Sequence, residues 1–286
     1  MIFSFLKSTK LAQISFAFLA SFTILFFNPN AELDILFFSS FLIYFITFLV
    51  CVLIISKNLY YTNNNYSSLA LICFTFLLIG NQIKASVFLS SFFLLFTLRK
   101  VYLLASDKRA NAKLFDIGFW FAISVITSYY SILFTPTILF GIFLFFKLNV
   151  KTLVKVLTGI LTAVLIFLFT NKFLLENQLH TNFSIFSELQ IPNPDSRLIL
   201  ILLIVSALFV YYIFKSFSSN LKTKMYNLFM IIYFLNSLAL VLISKDLLIF
   251  LFFPFLISFS NIISKLRRKL IFEIVLILII FVIYYL

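Results

Sequence analysis

Apolar runs, each about as long as a membrane crossing, follow one another along almost the whole chain and are separated by short polar breaks. A helix needs about 20 predominantly apolar residues to cross the hydrocarbon core of a bilayer. The sequence therefore predicts an all-α fold, a polytopic transmembrane helix bundle that occupies residues 1–286 as a single integral membrane domain with no separate soluble domain. The predicted crossings are 11–27, 35–56, 66–80, 85–98, 154–170, 198–214, 226–243, 247–264 and 270–286.

The segment from Ile117 to Phe146 is harder to interpret, because it stays apolar for 30 residues. As one helix it would be about 45 Å long, against a hydrocarbon core of about 30 Å. It is either one steeply tilted helix or a hairpin of two short helices. In a hairpin over 117–146, arms of about 14 residues would each reach about 21 Å, so their connection would lie at depth, packed among helices or lining a cavity. The candidate connections are 127–131 and Thr135-Pro136, where proline disfavours helix in the residue before it.

The distribution of basic residues distinguishes these alternatives, because Lys and Arg in short loops accumulate on the cytoplasmic side. A hairpin divides the 22 basic residues into 18 inside and 4 outside, whereas a single crossing divides them into 11 and 11. The sequence therefore predicts the hairpin, about eleven helical segments and a cytoplasmic N-terminus. The four basic residues predicted to lie outside are Lys84, Lys172, Arg197 and Lys245.

Composition supports a membrane protein and narrows its chemistry. Hydrophobic residues make up 63% of the chain and charged residues 11%, with a mean hydropathy of +1.16, whereas soluble domains are about 25% charged. The net charge of +13 is a positive-inside signature, so we expect membrane lipid, not nucleic acid, as the partner. Two cysteines, Cys51 and Cys73, both lie within predicted spans, and one histidine cannot assemble the usual zinc or iron site. We expect no metal site and no cofactor.

Two polar regions lie at the ends of the predicted helices or between them. Asp116 and Trp120 stand at the entrance of the hairpin, where we expect them to anchor it at the membrane interface, the acid near a helix N-terminus. The segment from Asn171 to Arg197 is the only long loop, and long loops often carry function. It contains His180, which as a lone histidine is either a solvated residue or part of a binding site. A short interfacial helix is plausible within this loop.

The opening MIFSFLKST and the central KLFDIGFWFAISVITSYYSILFTPTILFGIFLF resemble an uncharacterised family of multi-spanning bacterial inner-membrane proteins. This resemblance implies a multi-pass protein of the bacterial inner (cytoplasmic) membrane. The basic loop followed by an apolar, proline-containing hairpin is also similar to the GT-C superfamily of glycosyltransferases, which use polyprenyl-phosphate-linked sugars at the outer face. In that superfamily a carboxylate of the first outer loop serves catalysis, and Glu32 and Asp34 occupy the corresponding loop. That loop has only about seven residues in this chain, fewer than those enzymes usually have.

Two functions remain open at this point. The first is a GT-C-like transferase, with Asp34 or Glu32 as the general base and with Lys84, Arg197, Lys245 and His180 binding the lipid-linked substrate. The alternative is a non-catalytic membrane subunit or scaffold that packs against other membrane proteins of an envelope complex. The scaffold interpretation rests on the absence of catalytic motifs and on the scarcity of ionisable residues deep in the spans, where transporters usually place them.

Overall fold

The structure of the protein is a computed structural model. Ten α-helices and two 3₁₀ helices make up nearly all of the residues that it describes. The described residues are 11–26, 35–58, 66–79, 84–106, 109–173, 196–216 and 221–265. The α-helices are α1 (Leu11–Phe26), α2 (Ile35–Asn58), α3 (Ser67–Leu78), α4 (Ala85–Leu103), α5 (Ala110–Thr127), α6 (Thr135–Phe145), α7 (Val150–Phe173), α8 (Ser196–Ser216), α9 (Leu221–Ile243) and α10 (Phe252–Lys265). The 3₁₀ helices, Tyr129–Phe134 and Lys245–Leu251, lead directly into α6 and α10.

The all-α prediction is confirmed, since no strand occurs among the described residues. Seven helical segments are long and apolar enough to cross a membrane. The predicted number of about eleven segments is not confirmed, because the last predicted crossing, 270–286, lies outside the described residues. Most of the other predicted crossings coincide with helical segments that extend them by a few residues, and 247–264 coincides with the second 3₁₀ helix followed by α10. The crossings predicted at 11–27 and 66–80 coincide with α1 and α3, which are shorter than predicted and are not among the seven.

The segment between α4 and α7 doubles back on itself. Helix α5 runs antiparallel to α4, because Asp116 contacts Lys100 while Ser124, further along α5, contacts Ser90. The next stretch returns, because Phe145 at the end of α6 packs against Tyr102 near the end of α4, with tilted rings whose centroids are 5.9 Å apart. Helices α5 and α7 consequently begin on the same side of the bundle. The end of the bundle where α4 ends and α5 and α7 begin is called the basic end below, and the opposite end the far end.

The arms of this hairpin are longer than the sequence predicts. Helix α5 begins at Ala110, not near Ile117, and its 18 residues extend about 27 Å. The returning arm, 6 residues of 3₁₀ helix followed by 11 of α-helix, extends about 28 Å. The turn at Ser128 is close to Ser90, only five residues after α4 begins at Ala85. The connection therefore lies near the far end of the bundle, and each arm is close to a full crossing.

The core of the bundle surrounds the segment from Lys245 to Ile263, of which 94% is buried. Aromatic rings from four other elements pack against it: Phe252 contacts Tyr44 and Phe74, while Phe250 contacts Phe134 and Phe253 contacts Tyr233. Edge-to-face and tilted ring pairs of this kind each add about 1 kcal/mol beyond simple burial. Helix α7 lies at the opposite extreme, since only 22% of it is buried, and it packs mainly against α5.

Two glycines allow α5 and α7 to approach closely. A Cβ atom added to Gly118 would lie 2.0 Å from the backbone oxygen of Val156, and one added to Gly159 would lie 2.2 Å from that of Phe115. The chain has only 4 glycines, and two of them lie at this one helix crossing. Small residues let helix backbones approach within membranes, where van der Waals packing drives association.

Candidate functional site

Two predicted substrate-binding lysines lie close to one carboxylate at the far end of the bundle. Lys84 immediately precedes α4, and Lys245 opens the second 3₁₀ helix; both side chains are exposed. Each ammonium group acts electrostatically on the partly buried carboxylate of Asp246. The turn that presents Asp246 is short, because Ser244 alone separates α9 from the 3₁₀ helix and its hydroxyl accepts the backbone N–H of Asp246 at 3.3 Å. Two cations and one acid therefore leave a net positive charge here.

Arg197, the third predicted cation, contacts the protein backbone. Its Nη2 group donates a hydrogen bond to the backbone oxygen of Ile79, the C-cap residue that follows α3. A cation at a helix C-terminus satisfies carbonyls that lack an intrahelical partner and interacts favourably with the helix dipole. The buried Nε atom of Arg197 has no hydrogen-bond partner among the residues that the structure describes. Arg197 therefore joins the start of α8 to the end of α3, a structural contact that the sequence did not indicate.

The remaining predicted site residues, Glu32, Asp34 and His180, lie outside the described residues. The helix that precedes the two acids ends near the far end of the bundle. Thr75, three residues before α3 ends, donates a hydrogen bond of 3.2 Å to Ser21, five residues before α1 ends. Helix α1 thus ends on the side of the bundle where Lys84 and Asp246 lie.

A buried group of serines closes the tip of the hairpin. Ser90 Oγ lies 2.8 Å from the backbone oxygen of Ser124 and 3.0 Å from its hydroxyl, and it also contacts the hydroxyl of Ser131. Ser124 Oγ donates to the backbone oxygen of Ser90 at 2.8 Å. On the other side, Asn236 of α9 donates to the backbone oxygen of Leu133 at 3.3 Å. These hydroxyls and amides satisfy one another and the interrupted backbone, which favours packing over a wet cavity at this position.

At the basic end, Lys100, Lys113 and Asp116 are engaged within the protein. Lys100 and Asp116 form an ion pair of 2.5 Å, and their side chains are 29% and 34% exposed, respectively. Lys113 Nζ donates to the backbone oxygens of Leu103 and Ser106, both at 2.6 Å, and so closes the turn between α4 and α5. The expectation that a helix N-terminus stabilises Asp116 was wrong, because α5 begins six residues earlier and has no acid in its first turn.

Trp120 also differs from its predicted role as an interfacial anchor. It lies ten residues into α5, about 15 Å from the start of the helix. Its ring packs between those of Phe93, Phe96 and Phe119, at centroid distances of 5.8, 5.2 and 5.3 Å. The indole is therefore part of the contact between α4 and α5.

The sequence did not single out Asp246 as a feature of a site, and of the serine group it indicated only Ser128 and Ser131, within the candidate connection 127–131. Ser244, the residue before Lys245, caps the second 3₁₀ helix. The signal that could have identified the serines is the recurrence of small hydroxyl residues, at 90, 124, 128 and 131, within otherwise apolar segments. Comparison of the chain with family models, with curated proteins and with solved structures gives no match.

Proposed function

We propose that the protein is a membrane transferase that binds a polyprenyl-phosphate-linked sugar at the far end of its bundle, which faces outwards from the bacterial inner membrane. The observation that supports this most directly is the pair of exposed ammonium groups of Lys84 and Lys245 beside Asp246. A phosphate of the donor would bind between these ammonium groups, since charge-assisted hydrogen bonds to phosphate are roughly twice as strong as neutral ones. The polyprenyl chain would lie along the apolar surface of the helices.

The proposed reaction uses an acid of the first outer loop as general base. Asp34 or Glu32 accepts the proton of an acceptor hydroxyl, whose oxygen forms a bond to the anomeric carbon of the sugar. The bond between that carbon and the phosphate oxygen breaks, and polyprenyl phosphate leaves with its negative charge stabilised by the two lysines. Because Arg197 is engaged at the end of α3, its contribution would be to hold α8 and α3 in place.

Binding of a polyprenyl phosphate to the purified full-length protein tests the phosphate site. The double substitution Lys84→Gln, Lys245→Gln should weaken binding at least about 100-fold, because two charge-assisted contacts of about 1.5 to 3 kcal/mol each are lost. Asp246→Asn should strengthen binding, since it removes the acid that competes for the same ammonium groups. Arg99→Gln, Lys224→Gln removes the same charge at the basic end, where Tyr226 of α9 packs on Tyr102 of α4, and is the matched control, with unchanged affinity expected.

Either of two results would contradict the proposal. Equal weakening by the far-end and basic-end substitutions would mean that binding follows net charge alone, without a site. Full transfer activity in a Glu32→Gln, Asp34→Asn variant would exclude these acids as the general base. If polyprenyl phosphate does not bind at all, a non-catalytic subunit of a membrane complex becomes the function to pursue.

A further inference from the structure

The corner between α6 and α7, at the basic end, combines exposed cations with exposed apolar side chains. Lys147 and Lys151 are exposed, and between them Leu148 is 40% and Val150 77% exposed. Apolar side chains that are exposed near the start of a membrane helix are stabilised in the acyl chain region of a bilayer and destabilised in water. The lysines beside them would then lie at the depth of the lipid head groups.

These two lysines differ from the others that surround them. Lys100 is paired with Asp116, Lys113 caps the carbonyls that end α4, and Lys155 donates to Asn111. Lys147 and Lys151 make no hydrogen bond or ion pair with any residue that the structure describes. Asp116 is the only acid between residues 109 and 173, and it is already neutralised. The corner therefore holds two positive charges that lack a counter-charge within 109–173.

We propose that the corner formed by Lys147, Leu148, Val150 and Lys151 binds the head group of an anionic phospholipid. Leu148 and Val150 contact the acyl chains while the two ammonium groups contact the lipid phosphate. The contact between Lys155 and Asn111 holds the first turns of α7 and α5 together, so that the corner is presented on a rigid pair of helices. This site is independent of the proposed transferase site, which lies at the other end of the bundle.

Site-directed fluorescence quenching in vesicles tests this proposal. A reporter is made by Leu148→Trp in a Trp120→Phe background, which leaves a single tryptophan because the chain has only 1. Quenching by brominated phosphatidylglycerol is compared with quenching by brominated phosphatidylcholine. We expect phosphatidylglycerol to be preferred, and Lys147→Gln, Lys151→Gln to reduce the preference about 25-fold, because each basic residue near an anionic surface contributes about 1 kcal/mol.

Three controls make the result specific. Lys147→Arg, Lys151→Arg keeps both charges and should keep the preference, and Lys84→Gln, Lys245→Gln at the far end should not change it. A reporter at Leu203, which is 63% exposed on α8, should show little preference. Equal quenching by the two lipids at position 148, or a preference that survives removal of both lysines, would overturn the proposal. So would loss of the preference on addition of millimolar inorganic phosphate, which would indicate a site for the free ion.

Discussion

Lys100 and Asp116 form an ion pair between α4 and α5 that is only about one-third exposed. A charge in such a position depends on its partner, because removing one member leaves the other poorly solvated. We expect Asp116→Asn to destabilise the protein by about 2 kcal/mol, the usual contribution of a hydrogen bond to a charged group, and Lys100→Gln to do the same. Thermal unfolding in detergent measures both effects.

The double variant Lys100→Gln, Asp116→Asn provides the control for this ion pair. It should lose much less than the sum of the two single variants, because neither charge is then left without its partner. Additive losses would mean that the two residues act independently and that the pair does not couple α4 to α5.

At the same scale, residue type predicted burial better than it predicted partners. Cys51 and Cys73 are both buried, as their apolar surroundings indicated. Arg197, by contrast, was expected to bind substrate, although its guanidinium contacts the carbonyl of Ile79, a residue more than a hundred positions earlier in the chain. A contact at that separation follows from how the helices pack, which local sequence does not specify.

Among the helices, the crossing of α5 and α7 depends on Gly118 and Gly159. Alanine at either position would place a Cβ atom within 2.2 Å of a backbone oxygen, so the helices must move apart. We expect each alanine substitution to cost about 1 to 3 kcal/mol, the usual range for overpacking, despite the higher helix propensity of alanine. The melting temperature in detergent should fall accordingly.

Gly141 offers a matched control on α6. A Cβ atom added there would meet only side-chain atoms of Phe229 and Val101, each at 2.5 Å, and side chains can adjust more easily than a helix backbone. Gly141→Ala should therefore destabilise the protein less than the other two substitutions. An equal loss at all three positions would show that the approach of the α5 and α7 backbones is not what the glycines provide.

The boundaries of the helices show what hydrophobic pattern can and cannot predict. Most helices coincide with apolar runs, because membrane helices must satisfy their backbone internally and bury apolar side chains in lipid. Helix α5 was predicted to begin near Ile117 because Lys113 and Asp116 look like the end of a loop. Both are helical since each finds a partner on or just after α4, at Leu103 and Lys100. A pattern that counts charges as loop residues cannot anticipate such partners.

At the scale of the whole molecule, the hairpin determines which loops share a side. Because α5 and α7 begin at the same end, the helices from α7 to α10 continue to alternate in direction as if the hairpin were absent. Lys84 and Lys245 therefore lie at the same end of the bundle. The division of the basic residues between the two sides of the membrane predicted this arrangement, since a single crossing would have placed equal numbers on each side. The proposed site and the lipid-binding corner both require it, because one lies at the far end and the other at the basic end.

Cysteine labelling from the two sides of the membrane tests the orientation of this arrangement. Lys151→Cys and Lys84→Cys each place one thiol at an exposed position, at the basic and the far end respectively. The native Cys51 and Cys73 are buried, so the unmodified chain should react little and serves as the control. We expect a membrane-impermeant maleimide added to intact cells to label position 84, and position 151 only after the membrane is opened. Labelling of both positions from outside would mean that 110–145 crosses only once. Labelling of position 151 from outside, and of position 84 only after the membrane is opened, would place the proposed phosphate site in the cytoplasm, where an outer-face transferase could not use it.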